Sequence, residues 1–327
     1  MTVTIGRREL LAALGGAAVS WPLAARAQQG GRRYRLGILH NQGPQAPQFP
    51  PFYDELRKLG FVEGQNLIID GRGYAVRTEG FPAVAAELVK AQPDAILAGG
   101  AAAARAAQAV TSTIPILTLT DDMVGQGLVA SLARPGNNTT GISILATELN
   151  GKRQQILMET VPAARRIAVL ADAHIATPQH MRTLEETTRA AGVELTVRLI
   201  ERPERIVPEI EEARRWGAEA LNVLASPLLV TRRFDMFERT AALRLPAIYQ
   251  SPEFVEEGGL IGYGPRLTLM FRQLARQLAK VLRGEKVGEV PVEQPTRFEL
   301  AINLRTAKAI GFEVPTSLVL RADEVIE

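Results

Sequence analysis

Side chains able to do acid–base or nucleophilic chemistry are sparse in this chain of 327 residues, which has three histidines, His40, His174 and His180, and no cysteine. A disulfide framework, a thiolate nucleophile and a cysteine zinc site are therefore excluded. The histidines are too scattered to give metal-ligand spacing. No G-x-S-x-G elbow, G-x-x-x-x-G-K-[ST] loop or H-E-x-x-H pair occurs, so hydrolase and nucleotide-dependent chemistry lack their usual machinery. Gly99-Gly100 follow an apolar run but lack the third glycine of a dinucleotide loop, and no cofactor or metal is expected. What remains is recognition, by polar or small residues at the ends of apolar runs. In the first half these are His40, Asn41, Gly99, Gly100, Ala101, Thr120 and Asp121; in the second they are Asp172, Ser226, Tyr249, Gln250 and, further on, Tyr263. Free amides at Gly99–Ala101 suit a carboxylate, Asp121 or Asp122 suits an ammonium, and Tyr263 suits stacking on a ring. Each has a structural alternative. Asp121 or Asp122 caps the next helix, Ser226 caps a helix begun by Pro227, Gly99-Gly100 form a tight turn, and Tyr263 packs as a hinge aromatic.

The elements that must position these residues alternate short apolar runs with longer amphipathic ones, the pattern of βα units on parallel sheets. "YRLGILH", "QNLIIDGRGY", "PDAILAGG" and "IPILTLT" read as strands, separated by helices at "FYDELRKLGF", "GFPAVAAELVKA" and "AAAARAAQAV". "LVASLARPGNNTTGIS" reads as a helix, a turn and an edge strand, with Asn137-Asn138-Thr139 taken as turn residues. A second series runs from a helix at "LNGKRQQILMETVP" through strands at "RRIAVLAD", "VELTVRLI", "AEALNVLASP", "LPAIYQ" and "GLIGYG", with helices over 178–191, 204–216 and 228–243 between them. In open parallel sheets, ligands bind beyond the carboxyl ends of the strands. The polar residues above all fall there. "PRLTLMFRQLARQLAKVLRGEK" is an amphipathic helix, with Leu267, Met270, Phe271, Leu274, Leu278 and Val281 on one face and Arg272, Arg276 and Lys280 on another.

The first 27 residues read as an export signal. Arg7-Arg8 precede a mild apolar run from Leu10 to Val19, and Ala25-Arg26-Ala27 supplies a cleavage site. The paired arginines suggest the twin-arginine route. Cleavage after Ala27 leaves 300 residues; Arg7, Arg8 and Arg26 go with Glu9, so the formal charge falls from +3 to +1. A balance this near neutrality argues against nucleic acid as a partner.

"LRKLGFVEGQNLIID", "GLVASLARPGNNTTGIS", "KRQQILMETVP", "GGLIGYGP" and "VPVEQPTRFELAINLRTAKAIGFEVPTSLVLRADEVIE" resemble the ABC-transporter substrate-binding family of type I periplasmic binding fold, distantly similar to tryptophan/tyrosine-binding proteins. The resemblance covers nearly the whole chain after the signal. It implies an α/β protein of two Rossmann-like lobes with parallel sheets joined by hinge crossovers. Lobe 1 is expected over 33–142 plus about 264–290, lobe 2 over 143–263, and 291–327 completes both. It also implies a periplasmic monomer without catalytic activity, closing on a small-molecule ligand and delivering it to an ABC permease whose ATPase is a separate chain. His40, Asn41 and Gly99–Ala101 would contact ligand from one lobe, with Ser226 and Tyr249–Ser251 near the other and the hinge. The first loop is rich in Pro and Gln where relatives carry a serine-containing turn, so the ligand's identity does not transfer; an amino acid or an aromatic acid is the guess. Two alternatives stand beside transport: a ligand sensor for a membrane receptor, and an exported enzyme with Asp121 and His174 as its catalytic groups.

Overall fold

The computed structural model describes residues 32–327; the export signal expected over 1–27 lies outside them. The first lobe opens with strand β1 (Tyr34–Leu39), helix α1 (Phe49–Lys58) and β2 (Leu67–Gly73), followed by α2 (Phe81–Lys90), β3 (Ala95–Ala98), α3 (Ala101–Gln108), β4 (Ile116–Thr120) and β5 (Thr139–Ser143). Proline begins α1 and α2 within the first two positions, where its missing N–H costs nothing. The second lobe runs α4 (Ala146–Thr160), β6 (Arg166–Asp172), α5 (Pro178–Ala190), β7 (Glu194–Ile200), α6 (Ile206–Trp216), β8 (Ala220–Val223), α7 (Pro227–Val230), α8 (Arg233–Ala242), β9 (Ala247–Tyr249), α9 (Pro252–Glu256) and β10 (Ile261–Gly264). Then come α10 (Leu267–Leu282), β11 (Glu299–Asn303), α11 (Leu304–Ile310), α12 (Thr316–Val319) and β12 (Glu324–Ile326).

The first sheet has five strands in the order β2-β1-β3-β4-β5, and the second seven in the order β12-β11-β10-β9-β8-β6-β7. Read from β7, the second sheet repeats the order of the first, each lobe's second strand lying outside its first. Each sheet therefore has a switch point, between β1 and β3 and between β6 and β8, where consecutive connections leave in opposite directions. Crevices open there at the strand carboxyl ends. All pairings in the first sheet are parallel. The second departs from the expected parallel sheet at β10 and β11, which pair antiparallel, because the chain re-enters this lobe from the opposite side after α10.

Two expected helices change. "LVASLAR" forms turns: Ser131 bonds both the carbonyl and the amide of Arg134, and its apolar residues part company. Leu128 joins the core beneath α3, while Val129 and Leu132 pack with Met123 and Val292. No single helix face serves both directions. The helix expected over 228–243 divides at Thr231–Arg232 into α7 and α8, where the Thr231 hydroxyl donates to the Leu228 carbonyl at 2.6 Å.

The chain passes between lobes after β5, after β10 and again beyond residue 290. Helix α10 lies in the first lobe, where Met270, Phe271, Leu274 and Leu278 join Phe49, Phe52 and Leu56 in one core. Arg266, the residue just before it, is tied back to the second lobe, donating to Glu299 at 2.6 Å and bonding Glu256 and Glu324. The last crossing follows β5, with Ser143 N–H donating to the Glu293 carbonyl and Glu293 N–H to that of Gly141, both at 3.0 Å. Among the described residues no helix is long and apolar enough to cross a membrane.

Candidate functional site

The carboxyl ends of β1, β3 and β4 face those of β6, β8 and β9 across a cavity of about 100 Å³, room for several waters or one small organic molecule. Its wall is mostly apolar, including Phe81, Leu97, Leu119, Ile144, Leu228 and Phe271. The polar lining from the first lobe is His40, Asn41, Gln42, Gln48, Thr78, Thr120 and Asp121; from the second it is Asp172, His174, Ser226 and Gln250. No lysine or arginine lines it.

His40 follows β1 and is buried. The amide of Gln42 donates to its Nδ1 at 3.0 Å, which leaves the proton of the neutral ring on Nε2. Burial pushes its pKa down to about 4, so the ring stays neutral at physiological pH. The imidazole lies flat on the turn after β3. A Cβ on Gly99 would stand 2.4 Å from His40 Cδ2, so only glycine allows that approach. Gly100 has φ +86° and ψ 179°, a region open essentially to glycine alone. From there α3 starts without a side-chain cap, so its first amides and the positive end of its dipole face the cavity. A Cβ on Gly100 would also come within 3.0 Å of Pro227 Cγ in the other lobe. The two lobes already touch here, and Arg77 of the first pairs with Glu204 of the second at 3.2 Å.

Asp121, after β4, is 6 % exposed. Its carboxylate has no hydrogen-bond partner among the described residues. Burial, opposed by Arg153 and helped by Asp172 and Asp122, pushes its pKa up to about 7. Asn41 Oδ1 is likewise buried without a partner. Asp172, at the end of β6, accepts one hydrogen bond on each oxygen: Ser226 Oγ donates to Oδ2 at 2.6 Å and the amide of His174 donates to Oδ1 at 2.9 Å. Ser226 performs two tasks at once, since its oxygen also accepts from the amides of Leu228 and Leu229 to cap α7.

The cavity thus gathers His40, Asn41, Gly99, Gly100, Ala101, Thr120, Asp121, Asp172, Ser226 and Gln250. Tyr249 and Tyr263 are placed elsewhere. Tyr249 is fully buried in the second lobe's core, its hydroxyl 3.2 Å from that of Thr240. Adjacent strand residues point to opposite faces, so Gln250 and Tyr249 cannot both line the cleft by their side chains. Tyr263 stacks on Phe298, ring centroids 6.5 Å apart. His174 lies at the cavity but is exposed, its Nε2 3.0 Å from the Glu201 carbonyl. Among the described residues no group of three or more His, Asp or Glu side chains is disposed to hold a metal ion.

The sequence reading missed Arg153. This α4 arginine is fully buried, donating from Nε to the Tyr263 carbonyl (2.7 Å), from NH1 to Asn150 Oδ1 (2.8 Å) and from NH2 to the Gln250 carbonyl (3.2 Å). It fastens the ends of β9 and β10 below the cleft, and burial pulls its pKa down to about 10. Its neighbours Asn150 and Gln154 are buried too. A run of polar residues on one helical face looks solvated in the sequence; only the packing of α4 against β8–β10 inverts that.

Two facing βα lobes with a ligand-sized cleft at their switch points define the type I periplasmic binding fold, and solved structures share it. A conserved domain protein from Vibrio cholerae is 21% identical with a TM-score of 0.79, covering 90% of this chain and 99% of that one. An ABC domain from Streptococcus pneumonia in complex with L-Trp is 19% identical with a TM-score of 0.75, covering 90% and 100%. Residues 49–326 match the family described as ABC transporter substrate binding protein, and the chain belongs to that family. A tyrosine-binding protein of Clostridioides difficile (strain R20291) is 25% identical over 268 residues, 80% of this chain and 76% of that protein.

Proposed function

We propose that the protein is an extracytoplasmic solute-binding protein that closes its two lobes on a small zwitterion, an amino acid with an apolar or aromatic side chain, and hands it to an ABC permease. One observation carries the reading: a buried, unpartnered carboxylate, Asp121, shares an otherwise apolar cavity with the uncapped amides of α3. An ammonium on Asp121 and a carboxylate on the amides after Gly100 satisfy both, each as a charge-assisted hydrogen bond. Asn41 Oδ1 and His40 Nε2–H add one acceptor and one donor, and the apolar wall takes the side chain. The similarity to a tyrosine-binding protein supports the same class.

Binding alone, without turnover, accounts for the groups present: His40 is neutral and oriented by a backbone amide, and Asp172 accepts one hydrogen bond on each oxygen. Contacts from both lobes exist only when the cleft is shut, so ligand shifts the population toward the closed form. Export by the paired arginines and cleavage after Ala27 belong to this reading, as does the monomeric state.

A thermal-shift screen of residues 28–327 against amino acids, aromatic acids, nucleosides, sugars and short peptides tests it. A solute at 100 times its dissociation constant stabilises the folded protein by about 2.7 kcal/mol. The expected hit is an apolar amino acid recovered unchanged after incubation. Chemical conversion of the hit would mean an enzyme, and stabilisation only by sugars or nucleosides would contradict the zwitterion site.

A further inference from the structure

The cavity holds a second carboxylate that the zwitterion reading leaves idle. Asp121 belongs to the first lobe and Asp172 to the second; both line the same cavity, and both are about nine-tenths or more buried, at 6 % and 5 % exposure. Arg153, buried behind the lining, offsets part of the charge on Asp121, but no basic side chain enters the lining between the two. Two ionised carboxylates brought together in an apolar space cannot both keep their charge. Something positive must come between them when the lobes shut.

We propose that Asp121 and Asp172 form a carboxylate clamp across the cleft that closes on a ligand's cationic group and, in the empty protein, on a single proton. This rests on the cleft being the ligand site, as argued above. In the open form both groups face water; in the closed form one proton lies between them. That proton comes from solvent on closure and returns to solvent when an ammonium takes its place, so proton and ligand compete for one position.

The geometry says which member carries the proton. Asp172 already accepts from Ser226 and from the His174 amide. Asp121 accepts none, and its pKa is pushed up to about 7 by burial first and by Asp172 and Asp122 after. The other groups facing it are Arg153 from α4, which opposes the shift, neutral His40 after β1, and exposed His174 after β6. Glu148 at the start of α4 lines a hinge-side cavity that Asp121 also reaches. One proton taken up on closing makes the closed-to-open ratio rise about tenfold for each pH unit below about 7, until the open-state carboxylates themselves titrate.

The absence of cysteine makes the test direct. Gln45→Cys and Arg202→Cys, exposed positions on the two rims, take spin labels, and pulsed electron paramagnetic resonance reads their separation in dialysed protein without solute at pH 8.5 and pH 5.5. The ratio of short to long distances is expected to grow at least tenfold at the lower pH. The response should vanish in Asp121→Asn, weaken in Asp172→Asn, where burial still raises Asp121 but its charged neighbour is gone, and persist in His40→Asn and His174→Asn. Equal distributions at the two pH values, a response surviving in Asp121→Asn, or an undiminished response in Asp172→Asn would overturn the clamp. Since no ligand is added, a blank solute screen and a pH-insensitive hinge are separate failures.

Discussion

At the residue scale, burial shifts both Asp121 and His40 toward their neutral forms, and they oppose each other in the stability profile. The folded state binds the Asp121 proton more tightly than the unfolded chain, its pKa rising from 3.8 to about 7, so its contribution is lost as pH rises through that window. His40 is depressed from 6.5 to about 4, so its contribution is present above 6.5 and lost as pH falls. Between pH 4 and 6.5 the two slopes have opposite signs and largely cancel. Removing either exposes the other. Asp121→Asn should lose stability as pH drops from about 6.5 to 4; His40→Asn, which keeps an acceptor for the Gln42 amide, should lose stability as pH rises from about 4 to 7. Thermal melts across pH check both signs. Parallel profiles in the two variants would contradict the assignments.

At the scale of elements, the turn before α3 and the face of α4 hold the cleft in shape. Gly100→Ala forces a non-glycine residue into φ +86° and a Cβ against Pro227. It should cost about 1–3 kcal/mol of stability and lower ligand affinity further, because closure brings the clash. Arg153→Met removes the donor to two strand-end carbonyls and to Asn150. The loss expected is about 2–4 kcal/mol, since buried acceptors left bare cost about 1–3 kcal/mol each and relief of a buried cation offsets part of that. Chemical denaturation measures both. These elements also mark what the sequence discloses. Strand ends were legible because apolar runs terminate visibly, and in an open sheet the site follows from where they terminate; hence His40, Gly99, Asp121, Asp172 and Ser226. What a strand end does not disclose is the face, so Tyr249 was read into the cleft beside Gln250 although only one can point there. Arg153 was illegible for a different reason: its partners are carbonyls about 100 residues away in β9 and β10. The helix read at "LVASLAR" failed because its apolar residues belong to two cores.

At the scale of the molecule, two sheets of the same strand order present matching switch points to each other, and α10, Arg266 and the strand-like crossing at Glu293 tie them through the hinge. The surface pair Arg77–Glu204 spans the cleft, with both side chains more than half exposed. Such pairs contribute about 0–1 kcal/mol, so closure depends on what the cavity encloses. The measurement that decides this is isothermal titration of the solute found by screening into the wild-type chain and into Asp121→Asn. One site per chain is predicted for the wild type, with affinity falling about tenfold to a hundredfold in the variant, the worth of one charge-assisted hydrogen bond of about 1.5–3 kcal/mol. Undiminished affinity in Asp121→Asn would place the solute outside the cleft and contradict the account.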